Sequence, residues 1–584
     1  MSAIFGWWAG RRDLEQTGPA AVAAMVAASR RGSEPHGLWA ADHVALAARG
    51  EPGQQTGPLV SRRTASPVVV VVDGYVHGSR DPARTLLDGY LAQKEVAVER
   101  WQGVFAFAVW DGRTGELILG RDRLGIKPLS YIRQDDGVVF ASEVGALAAH
   151  PDVPLELDGA GLSALLTQLR RPGYGALRDM REVPPGTTVR FSADGEHRRR
   201  YWSLEAFPHT VSREETIDQV RTLLDAVVHD DLGDADPAVL LSGGLDSSVL
   251  TGLATEAVGR PPRTFTVSFG GMASAVPDLP YAEEVVRFWH CDHERVTIEP
   301  DLLAQPDALA ESLLAKDWPT PFGDKNITPY LFSRHVGRRT PIALSGEGAD
   351  AMFGGLGPDA DEKQALTTFP WIARARAMGM PYGLGAGLLQ AEVLHDIDVA
   401  GYIDSRFTEA LEEVPQLPGE DPVDRLGRQT DYLTATRLLE QTVLHSERMS
   451  TAAGLQLRFP FADHRLFTCL YNVPARWKSF DGREKSLLRA IGAPLVPSSV
   501  LSRRKVPYPI TYDRGYKQAL VERLRTLLDD TSAPLHTVLD REHAERYVMT
   551  PRLLDRGGWL GRADVEMVLQ LDAWLRHFRV RLAL

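Results

Sequence analysis

The stretch AVLLSGGLDSSVL, residues 238–250, restricts the fold of this chain more than any other part of the sequence. Val239–Leu241 is apolar enough for a buried strand, Ser242–Gly244 permits a tight turn, and Leu245–Ser248 opens a helix. Glycines let the backbone approach a ligand closely, and the first N–H groups of a helix point at an anion. The stretch therefore predicts a strand, a phosphate-binding turn and a helix in succession.

This turn supplies candidate ligand-binding residues, which are Leu240, Ser242, Gly243, Gly244, Asp246 and Ser247. Asp246 would repel a bare phosphate, so we expect a divalent cation to lie between the two. The turn does not end in the Gly-Lys-Ser/Thr of a Walker loop, so it is a phosphate loop of another kind. The alternative is a tight strand–helix turn that binds nothing.

Short apolar strands alternate with helices after residue 210. A helix is predicted to begin at the capping box formed by Ser212 and Glu215, and the strands RTFTVSF (263–269) and PIALS (341–345) follow. Such alternation is typical of an α/β domain with a parallel sheet, and the residues beyond about 360 are predicted to be mostly helical.

A second strand–turn–helix pattern occurs in IALSGEGADAMFGG, residues 342–355. Its turn carries Ser345, Gly346, Glu347 and Asp350. Ligands bind at the carboxyl ends of parallel strands, so Asp246 and Asp350 are expected to hold one Mg²⁺ between bound phosphates.

The first 200 residues have a different pattern, with many strands and few long helices. PVVVVVDGY (67–75) predicts a buried strand that ends in a turn at Asp73-Gly74, and residues 104–120 predict a hairpin around Asp111-Gly112. We therefore expect two domains, residues 1–205 and 210–584, in an α/β chain.

The motifs of the second domain resemble those of a known family. The string Ser-Gly-Gly-x-Asp-Ser is similar to the pyrophosphate loop of ATP pyrophosphatases, and ERMSTAAGLQLRFPFADHRL (447–466) resembles the segment that lines the site in asparagine synthetases. GREKSLLRA (482–490) and LSRRKVPYP (501–509) extend the resemblance, which covers roughly residues 215–515. It implies a parallel-sheet domain of the ATP pyrophosphatase type with a helical extension, which uses ATP and Mg²⁺ to adenylate a carboxylate.

The same resemblance implies roles for single residues. Val267 would lie near the adenine, and Ser345 and Gly346 would lie near the nucleotide. Lys485 would stabilise the transition states of adenylation and acyl transfer, and Lys505 the departing pyrophosphate. Glu347 is the candidate to orient or deprotonate an attacking amine.

The first domain resembles the family's glutaminase domain, an Ntn-hydrolase-like αββα sandwich, in the strings VFAFAVWD, GRDRLGIKPLSY and FASEVGAL. Its catalytic strings differ from the family pattern. Ser2 stands where the family has cysteine, Arg31–Glu34 replaces Arg-Gly-Pro-Asp, and Asp73-Gly74 replaces the Asn-Gly of the oxyanion hole. A carboxylate at residue 73 has the wrong sign to face an oxyanion. We expect a degenerate domain that releases no ammonia, and a serine-based hydrolase is the alternative.

Without ammonia from glutamine, the amine must come from another source. RRKVPYPITYDRGYKQAL (503–520) resembles the corresponding part of actinobacterial lasso peptide cyclases, and Glu347 stands where β-lactam synthetases typically have tyrosine. The resemblance implies a cyclase that joins an Asp or Glu side chain of a precursor peptide to its N-terminal amine, with a leader-binding protein and a leader peptidase as further partners. The alternatives are an asparagine synthetase-like ligase that uses free ammonia or a small amine, a β-lactam synthetase-like cyclase, and a non-catalytic scaffold that binds the peptide.

Composition excludes few other classes of function. Lys and Arg number 65 and Asp and Glu 77, a net charge of −12, which disfavours nucleic acid as a partner. Cys291 and Cys469 form no zinc or disulfide pattern. The longest aliphatic run, Val68–Val72, is too short to span a bilayer, and no secretory signal is recognisable, so we expect the cytoplasm.

Overall fold

The computed structural model of the chain describes residues 1–233, 235–270, 277–354, 366–503, 511, 513–558 and 560–584. Within these residues the chain forms two large β-sheets, then a parallel sheet with helices around it. None of the described helices is both long enough and apolar enough to cross a bilayer.

The N-terminal part consists of two six-stranded sheets. One has the strand order β11-β8-β9-β1-β3-β2 and the other β13-β12-β7-β6-β5-β4. The strands are β1 (Ala3–Ala9), β2 (Glu34–Ala41), β3 (Val44–Gly50), β4 (Leu59–Val60), β5 (Val68–Val76), β6 (Gly103–Asp111), β7 (Glu116–Arg121), β8 (Ser130–Gln134), β9 (Gly137–Ala141), β11 (Met180–Glu182), β12 (Thr187–Ser192) and β13 (Gly195–Arg200); β10 (Glu156–Leu157) lies outside both sheets. The predicted hairpin 104–120 is confirmed as β6 and β7.

Helices cover the outer faces of this pair of sheets. Ile4 and Leu46 of one sheet share a buried cluster with Val71 of the other. The helices are α1 (Gly18–Ala28), α2 (Pro82–Gln93), α3 (Val144–Ala148) and α4 (Gly159–Thr167), with a 3₁₀ segment at Lys94–Arg100. α1 packs on the first sheet and α2 on the second. The predicted αββα sandwich is confirmed.

The turn predicted at Asp73-Gly74 is wrong. β5 continues to Val76, and Asp73 and Gly74 pair with Ala106 and Phe105 of β6. Gly74 has φ +108°, and a Cβ atom there would lie 2.1 Å from the Val104 carbonyl oxygen. The Asp-Gly pair is therefore a close approach between two strands and not a chain reversal.

The C-terminal part is built on a five-stranded parallel sheet in the order β16-β15-β14-β17-β18. Its strands are β14 (Ala238–Leu240), β15 (Thr264–Phe269), β16 (His293–Ile298), β17 (Ile342–Leu344) and β18 (Gln456–Arg458). The predicted strands after residue 210 are confirmed, whereas β18 arises within a region predicted to be helical. A last strand, β19 (Arg581–Leu582), pairs with β10 and so links the two parts of the chain.

The helices of this part begin with α5, whose predicted capping box of Ser212 and Glu215 is present. They are α5 (Arg213–Leu232), α6 (Leu245–Val258), α7 (Leu279–Trp289), α8 (Pro300–Ala304), α9 (Pro306–Lys316), α10 (Gly323–Gly337), α11 (Ala349–Met352), α12 (Pro370–Ala377), α13 (Ala391–Asp396), α14 (Val399–Glu412), α15 (Pro422–Leu433), α16 (His445–Ala452), α17 (His464–Tyr471), α18 (Ala475–Lys478), α19 (Ser486–Gly492), α20 (Ser498–Ser502), α21 (Arg514–Asp529), α22 (Arg541–Met549) and α23 (Leu560–His577). Two π-helical segments, Thr434–Leu438 and Glu440–Leu444, join α15 to α16.

Candidate active site

The turn between β14 and α6 has the form that its sequence predicts. Gly243 has φ +81°, and a Cβ atom there would lie 2.4 Å from the Asp278 carbonyl oxygen. The backbone N–H of Ser242 donates to Ser247 Oγ over 3.1 Å, and the two hydroxyl oxygens lie 3.0 Å apart. Gly244 is the N-cap of α6, so the first N–H groups of this helix point out of the turn.

The second turn, between β17 and α11, lies against the first. A Cβ atom at Gly346 would lie 3.0 Å from the Ser247 nitrogen, and Ser345 donates its N–H to the Arg458 carbonyl oxygen of β18 over 2.9 Å. Leu240 at the end of β14 and Val267 in β15 are half-buried. The carboxyl edge of the sheet therefore gathers the residues predicted from both motifs.

Lys485 bridges the two aspartates that were expected to hold Mg²⁺. Its Nζ lies 2.7 Å from both carboxylate oxygens of Asp246 and 2.5 Å from Oδ1 of Asp350. Burial lowers the pKa of Lys485, but the two carboxylates outweigh it and raise the pKa above its ordinary value. The ammonium group is therefore charged and neutralises part of the carboxylate pair.

The two carboxylates fit Mg²⁺ only as part of a larger donor set. They converge on one cation, and Mg²⁺ is commonly held by one or two carboxylates together with substrate phosphates. Among the residues that the structure describes, no group of three or more His, Cys, Asp or Glu side chains could hold a metal ion alone. Asp246 and Asp350 would therefore bind Mg²⁺ with the phosphates of a nucleotide.

The two carboxylate oxygens of Glu347 have different surroundings. Ser446 donates its hydroxyl to Oε1 over 2.8 Å, whereas Oε2 is shielded from solvent and has no hydrogen-bond partner among the described residues. Desolvation raises the pKa of Glu347 to about 7; the Ser446 hydrogen bond lowers it in part and the Asp350 charge raises it further. An unpaired buried acceptor of this kind suits a group that receives a proton or an N–H.

Arg503 stabilises the backbone of the turn between β14 and α6. It donates through Nη1 to the Gly243 carbonyl oxygen over 2.6 Å, pairs with Asp278, and lies over the Tyr281 ring at 4.5 Å. A cation was expected in this stretch, but the sequence offers no signal that Arg503 supports the loop. Lys505 lies outside the described residues.

Ser2, which stands where the family pattern has cysteine, belongs to a buried network around Asp73. Ser2 donates to Asp73 Oδ1 over 2.8 Å and Ser142 to Oδ2 over 3.0 Å, and Lys127 Nζ lies 3.2 Å from Oδ1. Gly74 donates its N–H to Ser2 Oγ over 3.0 Å. Ser2 thus donates a hydrogen bond to a carboxylate that is fully buried.

The network continues into the C-terminal part through Glu447. Arg31 reaches it with two hydrogen bonds of 3.1 and 2.7 Å, and Lys127 Nζ lies 2.6 Å from Oε1. Burial would raise the pKa of Glu447, but Arg31 and Lys127 lower it to about 2. This link joins segments that are far apart in the sequence, and no short motif predicts it; the one hint is the acid at residue 73, which needs a cation near it.

Residues 219–576, more than half of the chain, match the family model described as asparagine synthase. The chain belongs to the asparagine synthase family. Residues 1–202 match the glutamine amidotransferase domain family. Membership makes the chain one of the ATP-dependent carbon–nitrogen ligases, and it confirms the superfamily and the two-domain fold expected from the sequence.

Several relatives span both domains. Asparagine synthetase 3 (glutamine-hydrolyzing) of Bacillus subtilis strain 168 is 30% identical over 623 aligned residues, 99% of each chain. Asparagine synthetase 1 of the same organism is 26% identical and covers 79% of this chain and 77% of its own. Among solved structures, a glutamine phosphoribosylpyrophosphate amidotransferase from B. subtilis matches 51% of this chain and 81% of its own at 15% identity, with a TM-score of 0.27, too low to carry an argument.

Proposed function

We propose that this protein is a lasso peptide cyclase: an AMP-forming amide ligase that activates a side-chain carboxylate of a precursor peptide and joins it to the peptide's N-terminal amine. The observation that carries the proposal is the buried carboxylate of Asp73 at the degenerate glutaminase position. An ammonia-releasing site stabilises an oxyanion there, and a carboxylate destabilises one. The amine therefore comes from the substrate or from solution.

The first half of the proposed reaction is adenylation. A carboxylate oxygen of the peptide attacks the α-phosphorus of ATP, the bond to the bridging oxygen of the β-phosphate breaks, and pyrophosphate leaves. Ser242, Ser247 and the start of α6 would bind the phosphates, and Leu240, Val267, Ser345 and Gly346 would line the nucleotide. Lys485 would stabilise the negative charge of the transition state, and Lys505 would assist the departing pyrophosphate.

Mg²⁺, when bound, supplies positive charge to the phosphates, and Asp246 and Asp350 are the residues that would hold it. Since Lys485 Nζ lies between these two carboxylates, it would shift toward the phosphates when they arrive. The ammonium group of Lys485 would therefore add a second positive charge next to the same phosphates.

The second half is acyl transfer. The amine nitrogen bonds to the carbonyl carbon of the adenylate, the bond to AMP breaks, and the nitrogen loses one proton. Glu347 Oε2, which has no hydrogen-bond partner among the described residues, would accept that proton. Ser446 orients the carboxylate through a hydrogen bond to its other oxygen, Oε1. The product is a macrolactam, with AMP released.

One observation favours a peptide's own amine over free ammonia: the segment 503–520 resembles the corresponding part of lasso peptide cyclases. The second candidate, an asparagine synthetase-like ligase that uses free ammonia, is supported by relatives named asparagine synthetases along the whole chain. We further propose a boundary between residues 205 and 210, the leader-binding protein and leader peptidase as partners, and the cytoplasm, where ATP is available, as the location.

The test supplies the purified protein with ATP and Mg²⁺ and varies the other substrates. One reaction contains a short precursor peptide taken from the open reading frames next to the gene, a second contains aspartate with ammonium chloride, and a third contains aspartate with glutamine. Release of pyrophosphate with a peptide product lighter by one water supports the cyclase. Asparagine formed from ammonium supports the second candidate, and asparagine formed from glutamine overturns the proposal.

A further inference from the structure

Three consecutive residues of α16 contact three different parts of the molecule. Ser446 bonds to Glu347 over 2.8 Å, Glu447 pairs with Arg31 and Lys127 of the N-terminal domain, and Arg448 Nε lies 3.5 Å from Asp317 Oδ2. Asp317 in turn accepts the backbone N–H of Val144, the first residue of α3 in the N-terminal domain, over 3.2 Å. One turn of helix thus joins the candidate proton acceptor to the degenerate glutaminase domain.

The contact with the N-terminal domain is a balanced set of four buried charges. Asp73 and Glu447 supply two negative charges, and Arg31 and Lys127 supply two positive charges, with side-chain exposures of 4% or less. Burial of such charges is expensive unless each one is paired, so only a narrow range of geometries satisfies all four. Thr451, one turn along α16, adds a hydrogen bond of 3.0 Å to Glu447 Oε1. The set therefore fixes both the rotation of α16 about its axis and its position along that axis.

An unusual stretch of backbone precedes α16. Ten of the eleven residues before it, 434–438 and 440–444, are π-helical, a rare form found mostly at functional sites. A π-helical stretch winds differently from an α-helix and so changes the direction in which the next turn points. The four-charge set contacts that next turn, and it lies next to Ser446.

We propose that Arg31 and Lys127 are positioning residues for acyl transfer: by holding Glu447, they place the Ser446 hydroxyl that orients the Glu347 carboxylate. The degenerate domain would then serve the reaction without binding glutamine. This inference rests on the proposed role of Glu347, which is common to the cyclase and to the ammonia-using ligase.

The test uses a variant that keeps the buried charges balanced. Lys127→Met with Asp73→Asn removes one charge of each sign and leaves Arg31 with Glu447. The control, Asp324→Asn with Arg562→Met, removes an equally buried ion pair of 3.0 Å that also contacts Thr511, Glu566 and the Tyr516 ring. ATP–pyrophosphate exchange reports adenylation, and product mass reports amide formation, with either the precursor peptide or aspartate and ammonium chloride as substrate.

We expect amide formation to fall about tenfold to a hundredfold in the Lys127/Asp73 variant, while exchange stays within about twofold. Ser446→Ala should cause a similar loss, and the two changes combined should cost no more than the larger alone, because they break the same link. A purely structural role would lower exchange and amide formation together, as in the control. The proposal is also overturned if the combined variant loses amide formation by the product of the two separate fold-changes.

Hydrogen–deuterium exchange tests the link without any substrate. In the Lys127/Asp73 variant, amides of residues 345–350 and 445–452 should both exchange faster than in the wild type, and those of residues 238–248 should not change. Faster exchange confined to 445–452 would overturn the inference. If the wild type forms no amide with any substrate, the proposed function fails, and this measurement still decides whether the coupling exists.

Discussion

Arg31 and Glu447 are 416 positions apart in the sequence and face each other in a buried ion pair with two hydrogen bonds, of 3.1 and 2.7 Å. Arg31 opens the stretch 31–34, which stands where the family pattern has Arg-Gly-Pro-Asp, and Glu447 begins the stretch 447–466, which resembles the segment that lines the site in asparagine synthetases. A guanidinium group that pairs with a carboxylate in this way is geometrically specific. The pair therefore joins a segment of the N-terminal domain to α16 of the C-terminal domain.

The first prediction concerns the pH dependence of this pair. The pKa of Glu447 is lowered from 4.5 to about 2, so its charged form stabilises the fold above pH 4.5 and loses that effect as the pH falls toward 2. Glu447→Gln should lower the free energy of unfolding by about 3 kcal/mol at pH 7. Denaturant unfolding of both proteins from pH 7 to pH 3 measures the difference, which should shrink below pH 4.5. A difference that stays constant across this range would contradict the assignment.

The second prediction concerns Ser2. Ser2→Cys should not restore glutamine hydrolysis, because Asp73 would face the new thiol, disfavour its thiolate and repel the oxyanion. Glutamate release from glutamine is the measurement. ATP–pyrophosphate exchange in the same variant should equal that of the wild type, since Ser2 lies in the other domain. Glutamate formation by either protein would show that the N-terminal site is still active.

The sequence predicted those parts of the site that depend on short segments. The turns at Ser242–Gly244 and Ser345–Glu347 follow from apolar strands and glycines, and the convergence of Asp246 and Asp350 follows from adjacent strand ends. The role of Ser446 had no local signal, because a serine in a helix acquires a partner only when the chain brings Glu347 to it.

The N-terminal domain shows the same limit. The replacement of asparagine by Asp73 was visible, but its partners Arg31 and Lys127 come from distant segments. The prediction of a turn at Asp73-Gly74 is wrong because an Asp-Gly pair is compatible with two structures. It can form a turn, or it can lie within a strand where the glycine packs closely against the neighbouring strand. Pairing with β6 decides between them, and that is a long-range interaction.

The third prediction concerns Lys485. Lys485→Met should lower ATP–pyrophosphate exchange by about 10²- to 10³-fold, because it removes the positive charge that we propose to stabilise the transition state of adenylation. Lys485→Arg should recover little, since a planar guanidinium does not fit a place where one Nζ lies within 2.7 Å of two carboxylates. Thermal unfolding of both variants tests whether the loss of exchange is instead caused by a less stable fold. Exchange at the wild-type rate in Lys485→Met would remove this residue from the mechanism.

The fourth prediction compares two glycines at the ends of α6. Gly243 and Gly259 have φ angles of +81° and +75°, so alanine strains the backbone at both. At Gly243 the new Cβ would also lie 2.4 Å from the Asp278 carbonyl oxygen, whereas at Gly259 no described atom lies within 4 Å of it. Gly243→Ala should therefore abolish exchange, and Gly259→Ala should only lower the melting temperature. Equal activity in the two variants would contradict the phosphate-loop assignment.

The last prediction separates the two half-reactions at Glu347. Glutamine at this position keeps an oxygen for the Ser446 hydrogen bond but accepts no proton, so Glu347→Gln should lower amide formation by about 10²- to 10⁴-fold. ATP–pyrophosphate exchange should continue, because adenylation needs no proton acceptor at Oε2. Exchange and product mass measured on one preparation give the ratio directly. A parallel loss of both would mean that Glu347 serves the phosphates rather than the amine, and its unpaired Oε2 would then need another explanation.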